Sequence, residues 1–267
     1  MNEGHSIVTA TEHTTRPARI ALITGANRGL GRSTALHLAE QGIDPVITYR
    51  SHPEEAEAVV EQARALGRTA YALKLDTGRI EDFAAFAEEF RAVLKEGWDR
   101  ETFDALVNNA GHGHHAAFLE VTPEDFDEVF DVHIRGVYFL TQALVPLLAD
   151  GGRIVNISTG LARFTFEGSS AYAAAKGAVE VFTRYLAKEL GPRGITANTV
   201  APGPVATDFS GGVIKNTPEL RAQLDAVTAL GRVGVADDIG GAIAAILADG
   251  SGWINGQRIE ASGGILL

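Results

Sequence analysis

The feature that most restricts the fold of this 267-residue chain is an alternation. Short runs rich in Val, Ile and Leu, "RIALITG", "PVITYR", "YALKLD", "DALVNNAG", "GRIVNIS", "ITANTVAPG" and "GQRIEASGG", are separated by longer segments with a period near 3.6. Near-continuous apolar runs belong to strands covered on both faces, and strands separated by helices pair in parallel through crossovers. The sequence therefore predicts one α/β domain, doubly wound: a seven-stranded parallel sheet with helices on both faces. The helices are expected at about residues 31–41, 54–66, 80–96, 123–149, 171–190 and 235–248.

A hydrophobic content of 45% with no break in composition suits a single large core. Residues 1–18, "MNEGHSIVTATEHTTRPA", are polar and lack an apolar centre. They are neither a signal peptide nor a span and are expected to form a loose tail, leaving 19–267 as the domain. No later apolar run is long enough to cross a bilayer. The stretch 208–230 breaks the rhythm, opening on glycines and turning helical from about Pro218. It follows a strand at the edge where doubly wound sheets bind ligands, which predicts a mobile lid.

A formal charge of −11 argues against nucleic acid or an anionic membrane as the partner. With no cysteine, neither a disulfide framework nor a thiolate metal site is available; a reducing, cytoplasmic setting is expected. "GHGHH" at 111–115 invites a metal, but His114 and His115 would point apart in an extended loop and no acid stands at helical spacing beside them. No metal is expected there.

Two motifs carry chemistry. The first strand runs into "TGANRGLG", where Gly25, Gly29 and Gly31 permit a tight turn and let a phosphate approach the N–H groups and dipole of the following helix. No Lys-Ser/Thr follows the last glycine, so this is not a P-loop. In "SSAYAAAKGAVE", Tyr172 and Lys176 stand four apart and share a helix face. Such a pair is either a solvated coincidence or an acid/base device in which the ammonium draws the phenol pKa down from about 10.

With "TGANRGLG", "NNAG" at 108–111, Tyr172 and Lys176, and "APG" at 201–203 in that order, the chain resembles the short-chain dehydrogenase/reductase family over about residues 19 to 264. The resemblance implies a Rossmann-like fold and an oxidoreductase interconverting a ketone or aldehyde and its alcohol. It implies Tyr172 as proton donor, with Lys176 holding the nicotinamide ribose and lowering the tyrosine pKa. Gly25, Asn27, Arg28, Gly29, Leu30 and Gly31 would line the phosphates and adenosine, Asp76 and Thr77 the adenine. Asn109, Ala110 and Gly111 would border the adenosine ribose, and Pro202, Gly203, Val205 and Thr207 the nicotinamide end. A homotetramer or dimer is implied, with helices 123–149 and 171–190 as its interface.

Two positions depart from the family's usual residues. Thr159, thirteen before Tyr172, replaces a serine that hydrogen-bonds the substrate oxygen, and its hydroxyl can do the same. Ser158 beside it would face away along a strand. His133, in "FDVHIRGVYF", replaces an asparagine that anchors a relay water; as a relay it should add an ionisation near pH 6.5 or so. At the end of the second strand, where NAD enzymes of this type place an acid, the chain has "TYRSH". Arg50, Ser51 and Arg28 there can surround a 2′-phosphate, which points to NADP. Phe164, Phe166 and Phe209 suggest an apolar wall for a small carbonyl substrate. A 3-oxoacyl-thioester reductase is a narrower reading, and a dinucleotide sensor with little turnover is the competing one.

Overall fold

The computed structural model describes residues 18–267; the expected tail falls outside the described residues but for Ala18. Seven strands form one sheet: β1 (Arg19–Ile23), β2 (Ile43–Tyr49), β3 (Tyr71–Lys74), β4 (Phe103–Asn108), β5 (Leu148–Ile157), β6 (Thr196–Pro202) and β7 (Arg258–Ala261). Their order is β3-β2-β1-β4-β5-β6-β7 and every pair is parallel. The direction of winding reverses between β1 and β4, so a crevice opens beyond the carboxyl ends of those two strands.

The helices are α1 (Gly29–Glu40), α2 (Pro53–Ala65), α3 (Phe83–Trp98), α4 (Pro123–Phe130), α5 (Gly136–Leu144), α6 (Ser170–Glu189), α7 (Val213–Asn216), α8 (Pro218–Ala226) and α9 (Ala236–Leu247). Successive residues of β1 point to opposite faces. Ala21 and Ile23 pack with Leu38, Val59 and Ile243 of α1, α2 and α9, while Ile20 and Leu22 pack with Phe90, Leu140 and Leu186 of α3, α5 and α6. Both faces are thus covered, as the unbroken apolar runs require. Among the described residues no helix is long and apolar enough to cross a membrane.

The expected helix over 123–149 is broken into parts. Thr122 and Asp125 close a reciprocal cap around the start of α4, with Asp125 N donating to Thr122 Oγ1 at 3.1 Å. A π-helical turn, Asp131–Arg135, follows, then α5 and a short 3₁₀ turn, Val145–Leu147. Pro146 has no N–H for a further helical bond, so the helix stops and β5 begins at Leu148. The π turn inserts one residue at the crevice and places His133 there.

A buried polar ladder ties the layers behind the crevice. Asn108 Nδ2 donates to Thr141 Oγ1 (3.0 Å) and Asn156 Oδ1 (2.8 Å), and Asn156 Nδ2 donates to Thr183 Oγ1 (2.9 Å). Each link satisfies a group that would otherwise be costly to bury.

Candidate active site

The glycine loop and "NNAG" meet across the switch point. Gly25 adopts φ +62°, and a Cβ on Gly31 would stand 2.5 Å from Asn109 Nδ2 and 2.6 Å from the Gly25 carbonyl oxygen. Only glycine fits. Asn109 Nδ2 donates to the Thr24 and Gly25 carbonyls (2.8 and 3.0 Å), and Thr24 Oγ1 accepts from the Asn109 and Ala110 N–H groups (3.0 and 2.9 Å). The loop is therefore pinned before any ligand arrives. No side chain caps the N-terminus of α1, leaving its first N–H groups for an anion, with Leu30 in that first turn.

At the adenosine end Arg28, Arg50 and Ser51 are exposed. Among the described residues neither guanidinium makes a hydrogen bond or ion pair. Arg28 also lies near the 208–230 segment: the Asp208 carboxyl is held low first by its Lys215 partner and, more weakly, by Arg28. Asn27 Nδ2 donates to Glu55 Oε2 at 2.6 Å, which brings an acid of α2 to the same edge. Asp76 Oδ1 accepts from Gly78 N at 2.9 Å just beyond β3, with Thr77 buried beside it. This set fits a dinucleotide with a 2′-phosphate: a glycine cradle, an uncapped helix end and two unpaired cations.

Across the crevice, Gly203 N donates to the Ala261 carbonyl (3.1 Å) past the end of β6, carrying Pro202 on that strand. Val205 bridges to Gly234, and Thr207 Oγ1 accepts from Phe209 N at 3.3 Å. Residues 208–230 form a 3₁₀ turn (Phe209–Gly212), α7 and α8, the last starting at Pro218 as read from the sequence. The Phe209 ring lies 6.1 Å from that of Tyr172, so this segment covers the tyrosine. Phe164 instead packs against the cluster of Leu224, Val233 and Ile265. Phe166 and Phe118 border a groove of about 380 Å³ that also meets Leu161 and Ala173.

Tyr172 and Lys176 lie on the buried side of α6, one turn apart, and Thr159 closes the end of β5 beside them. Burial pushes the Tyr172 phenol up from its ordinary value, and the hydrogen bond with the Thr159 hydroxyl draws it partly back. Lys176 Nζ donates to the Ile157 carbonyl at 2.7 Å and stands 5.9 Å from the centre of the Tyr172 ring. Burial brings the Lys176 ammonium down to about 7. Desolvation thus disfavours the charged forms of both groups, opposing the downward pull of the ammonium on the phenol that the helical spacing suggested. Ser158 does not turn away from α6 as strand alternation suggested: its hydroxyl donates to Glu180 Oε1 at 2.6 Å and lies 3.4 Å from the Lys176 carbonyl, further along the helix from Tyr172.

His133 is fully buried, its ring edge-on to Tyr172 at 5.1 Å. A Cβ on Gly111 would lie 2.5 Å from His133 Cε1, so the glycine of "NNAG" makes room for the imidazole. Nε2 lies 2.7 Å from the His112 carbonyl and therefore carries the proton; Nδ1 is buried without a partner. Burial, followed by the nearby Lys176 charge, holds the imidazole pKa well below its ordinary 6.5. Its ionisation is therefore displaced well below pH 6.5, which leaves His133 a neutral donor at neutral pH. His114 Nε2 stands 3.9 Å from Asp125 Oδ2, and among the described residues no cluster of three or more His, Cys, Asp or Glu could hold a metal.

The structure brings Tyr172, Lys176, Thr159 and His133 to one wall of the crevice and the glycine loop to the other. Sequence reasoning passed over Glu55, Glu180 and Arg258. Only Glu180 left a signal, standing a further four residues along the Tyr172–Lys176 stripe.

This arrangement can be set beside known proteins. The sequence model of the family described as enoyl-(acyl carrier protein) reductase matches residues 25–265. A 3-oxoacyl-[acyl-carrier-protein] reductase of Staphylococcus aureus is 35% identical over 250 residues, covering 92% of this chain and 98% of the relative. The chain belongs to the short-chain dehydrogenase/reductase family. Among solved structures, the promiscuous reductase LugOII, which catalyses keto-reduction at C1 during lugdunomycin biosynthesis, superposes with a TM-score of 0.88 at 38% identity, covering 94% of this chain and 98% of that one. The angucycline C-6 ketoreductase LanV with bound NADP gives 0.88 at 34% identity with the same coverage.

Proposed function

We propose that residues 19–267 form an NADPH-dependent reductase that converts a small ketone or aldehyde to its alcohol and runs in reverse with NADP. The observation that carries this reading is the placement of Tyr172: a buried phenol, protonated at neutral pH, beside the Thr159 hydroxyl and one helical turn from Lys176. That is the form a proton donor needs. When bound, the cofactor supplies the hydride for the carbonyl carbon. The Thr159 hydroxyl orients the substrate oxygen and the Tyr172 O–H gives it the proton, while Phe209 keeps water from the phenol. Lys176 holds the nicotinamide ribose, and neutral His133 fixes the His112 carbonyl at the crevice wall.

Gly25, Asn27, Gly29, Leu30 and Gly31 hold phosphates and adenosine in this reading, and Arg28, Arg50 and Ser51 the 2′-phosphate. Asp76 and Thr77 meet the adenine, and Asn109, Ala110 and Gly111 the adenosine ribose. Pro202, Gly203, Val205 and Thr207 meet the nicotinamide end. NADP bound to LanV supports the cofactor, and keto-reduction by LugOII supports the reaction. Exposed Tyr138, Phe139, Val181 and Tyr185 on α5 and α6 support a homo-oligomer, dimer or tetramer, and the cysteine-free sequence supports a cytoplasmic setting. The Staphylococcus relative keeps a 3-oxoacyl thioester in the substrate panel.

The test offers purified protein a panel of ketones, aldehydes and a 3-oxoacyl thioester with NADPH or NADH, following loss of the reduced nicotinamide's absorbance. Turnover with NADPH above NADH is expected. Tight NADPH binding without consumption by any carbonyl would instead establish the sensor reading.

A further inference from the structure

The face of α6 that carries Tyr172 and Lys176 continues to Glu180, and each of the three meets a different residue at the end of β5. Tyr172 meets the Thr159 hydroxyl, Lys176 Nζ the Ile157 carbonyl at 2.7 Å, and Glu180 Oε1 the Ser158 hydroxyl at 2.6 Å. The third contact does not end there. Arg258 of β7 donates from Nε to Glu180 Oε1 at 2.7 Å and from Nη2 to the Thr159 carbonyl at 3.1 Å. Its Nη1 donates to Glu260 Oε2 at 3.1 Å, which also pairs with Arg163 Nη1 at 3.0 Å. The Glu180 and Arg258 side chains are only 14% and 23% exposed. A largely buried arginine whose fork is divided among two carboxylates and a carbonyl has little freedom to move.

We propose that Glu180 and Arg258 are positioning residues that hold Thr159 at the hydrogen-bonding angle Tyr172 requires. This rests on the reductase reading above. The guanidinium fixes the Thr159 backbone from behind, and Glu180 fixes the guanidinium while tying Ser158 to the helix that bears the tyrosine. Neither residue touches the reacting atoms. A shift of Thr159 weakens the one contact that favours the phenolate, so the effect appears in the chemical step and its pH dependence, with cofactor binding spared.

The test compares Glu180→Ala, Glu180→Gln and Arg258→Lys with the unmodified full chain, using NADPH binding, steady-state kinetics and backbone hydrogen exchange of residues 159–166. Glu180→Ala should lower kcat by about 10- to 100-fold with NADPH affinity within about twofold. The limb of its alcohol-oxidation profile that reports the phenolate should move to higher pH. Glu180→Gln, which keeps an acceptor oxygen, should recover most of kcat. Arg258→Lys, which cannot span Glu180 and the Thr159 carbonyl together, should resemble the alanine variant. Exchange over 159–166 should rise in the two impaired variants only.

Unchanged kcat and pH profile in Glu180→Ala would overturn the proposal. So would losses in all three variants that follow lowered melting temperature with no shift of the profile. The exchange measurement needs no turnover: unchanged protection of 159–166 in Glu180→Ala overturns the proposal even if no carbonyl is reduced. Absence of turnover in the unmodified chain counts against the reductase reading alone.

Discussion

The two ends of the crevice are built on opposite principles. At the acid/base end Tyr172, Lys176, Thr159 and His133 are all buried, and each side chain already has a protein partner. At the adenosine end Arg28 and Arg50 stand exposed without one. The chemical end is preorganised and carries the cost of desolvated polar groups in advance, so that little need move when a carbonyl oxygen arrives. The binding end keeps its charges in water, where they cost nothing until a phosphate displaces the solvent. Substitutions at the first should therefore change rates and at the second affinities.

The largest expected effect tests that division at its centre. Tyr172→Phe removes one buried hydroxyl and should lower kcat for reduction by about 10²–10⁴-fold while NADPH affinity stays within about twofold. Stopped-flow turnover and cofactor fluorescence titration measure the two separately. Most of the wild-type rate surviving in this variant would mean that another group is the acid.

The cost of preorganisation should be visible in stability. Burial lowers the Lys176 pKa from about 10.5 in the unfolded chain to about 7 in the fold. Between those values the unfolded chain binds more protons, so stability should rise with pH, by at most about 1.4 kcal/mol per unit. Below pH 7 or so both states are protonated and the full penalty applies. Denaturant unfolding of cofactor-free protein at pH 7, 8 and 9 should show this slope in the wild type and a flatter one in Lys176→Met. Equal slopes in the two proteins would show that Lys176 stays solvated.

At the other end, Arg50→Asp should weaken NADPH binding by about 10- to 100-fold and leave NADH nearly unaffected, because a charge-assisted bond to phosphate is replaced by repulsion. Competition titrations with both cofactors give the ratio. The same loss for both would place Arg50 on the shared part of the dinucleotide.

The comparison also explains what the sequence disclosed. Strands such as Arg19–Ile23 were legible because burial on both faces leaves an unbroken apolar run, and the switch point follows from parallel pairing. Gly25 and Gly31 were legible because close backbone approach admits no other residue there. The π turn at Asp131–Arg135 was not, since one extra residue hardly disturbs the apolar spacing of Val129, Val132 and Val137. The fate of Lys176 was hidden for a different reason. Helical spacing placed it beside Tyr172, but its partner is the Ile157 carbonyl and its pKa is set by the depth of the layer above it. His133 was recognised as a departure, yet its neutrality depends on burial against Tyr172, Gly111 and His112, which pattern alone does not reveal.

The smallest expected effect sharpens the comparison most, because it concerns an acid at the cationic end. Glu55 accepts from Asn27 Nδ2 at 2.6 Å, placing a carboxylate beside the glycine loop and on the same edge as Arg28 and Arg50. If affinity at this end is set by net charge in water, Glu55 opposes a 2′-phosphate through solvent, an interaction of about 1 kcal/mol or less. Glu55→Gln keeps an acceptor for Asn27 and removes the charge. NADPH should then bind about two- to fivefold more tightly, NADH should be unaffected, and the gain should shrink as salt is raised. Isothermal titration with both cofactors at low and high ionic strength reads all three. A weaker NADPH complex, matched by an equal loss for NADH, would show that Glu55 serves to hold Asn27 in its bound position. The adenosine end would then share the preorganisation of the chemical end, and the contrast would be one of degree.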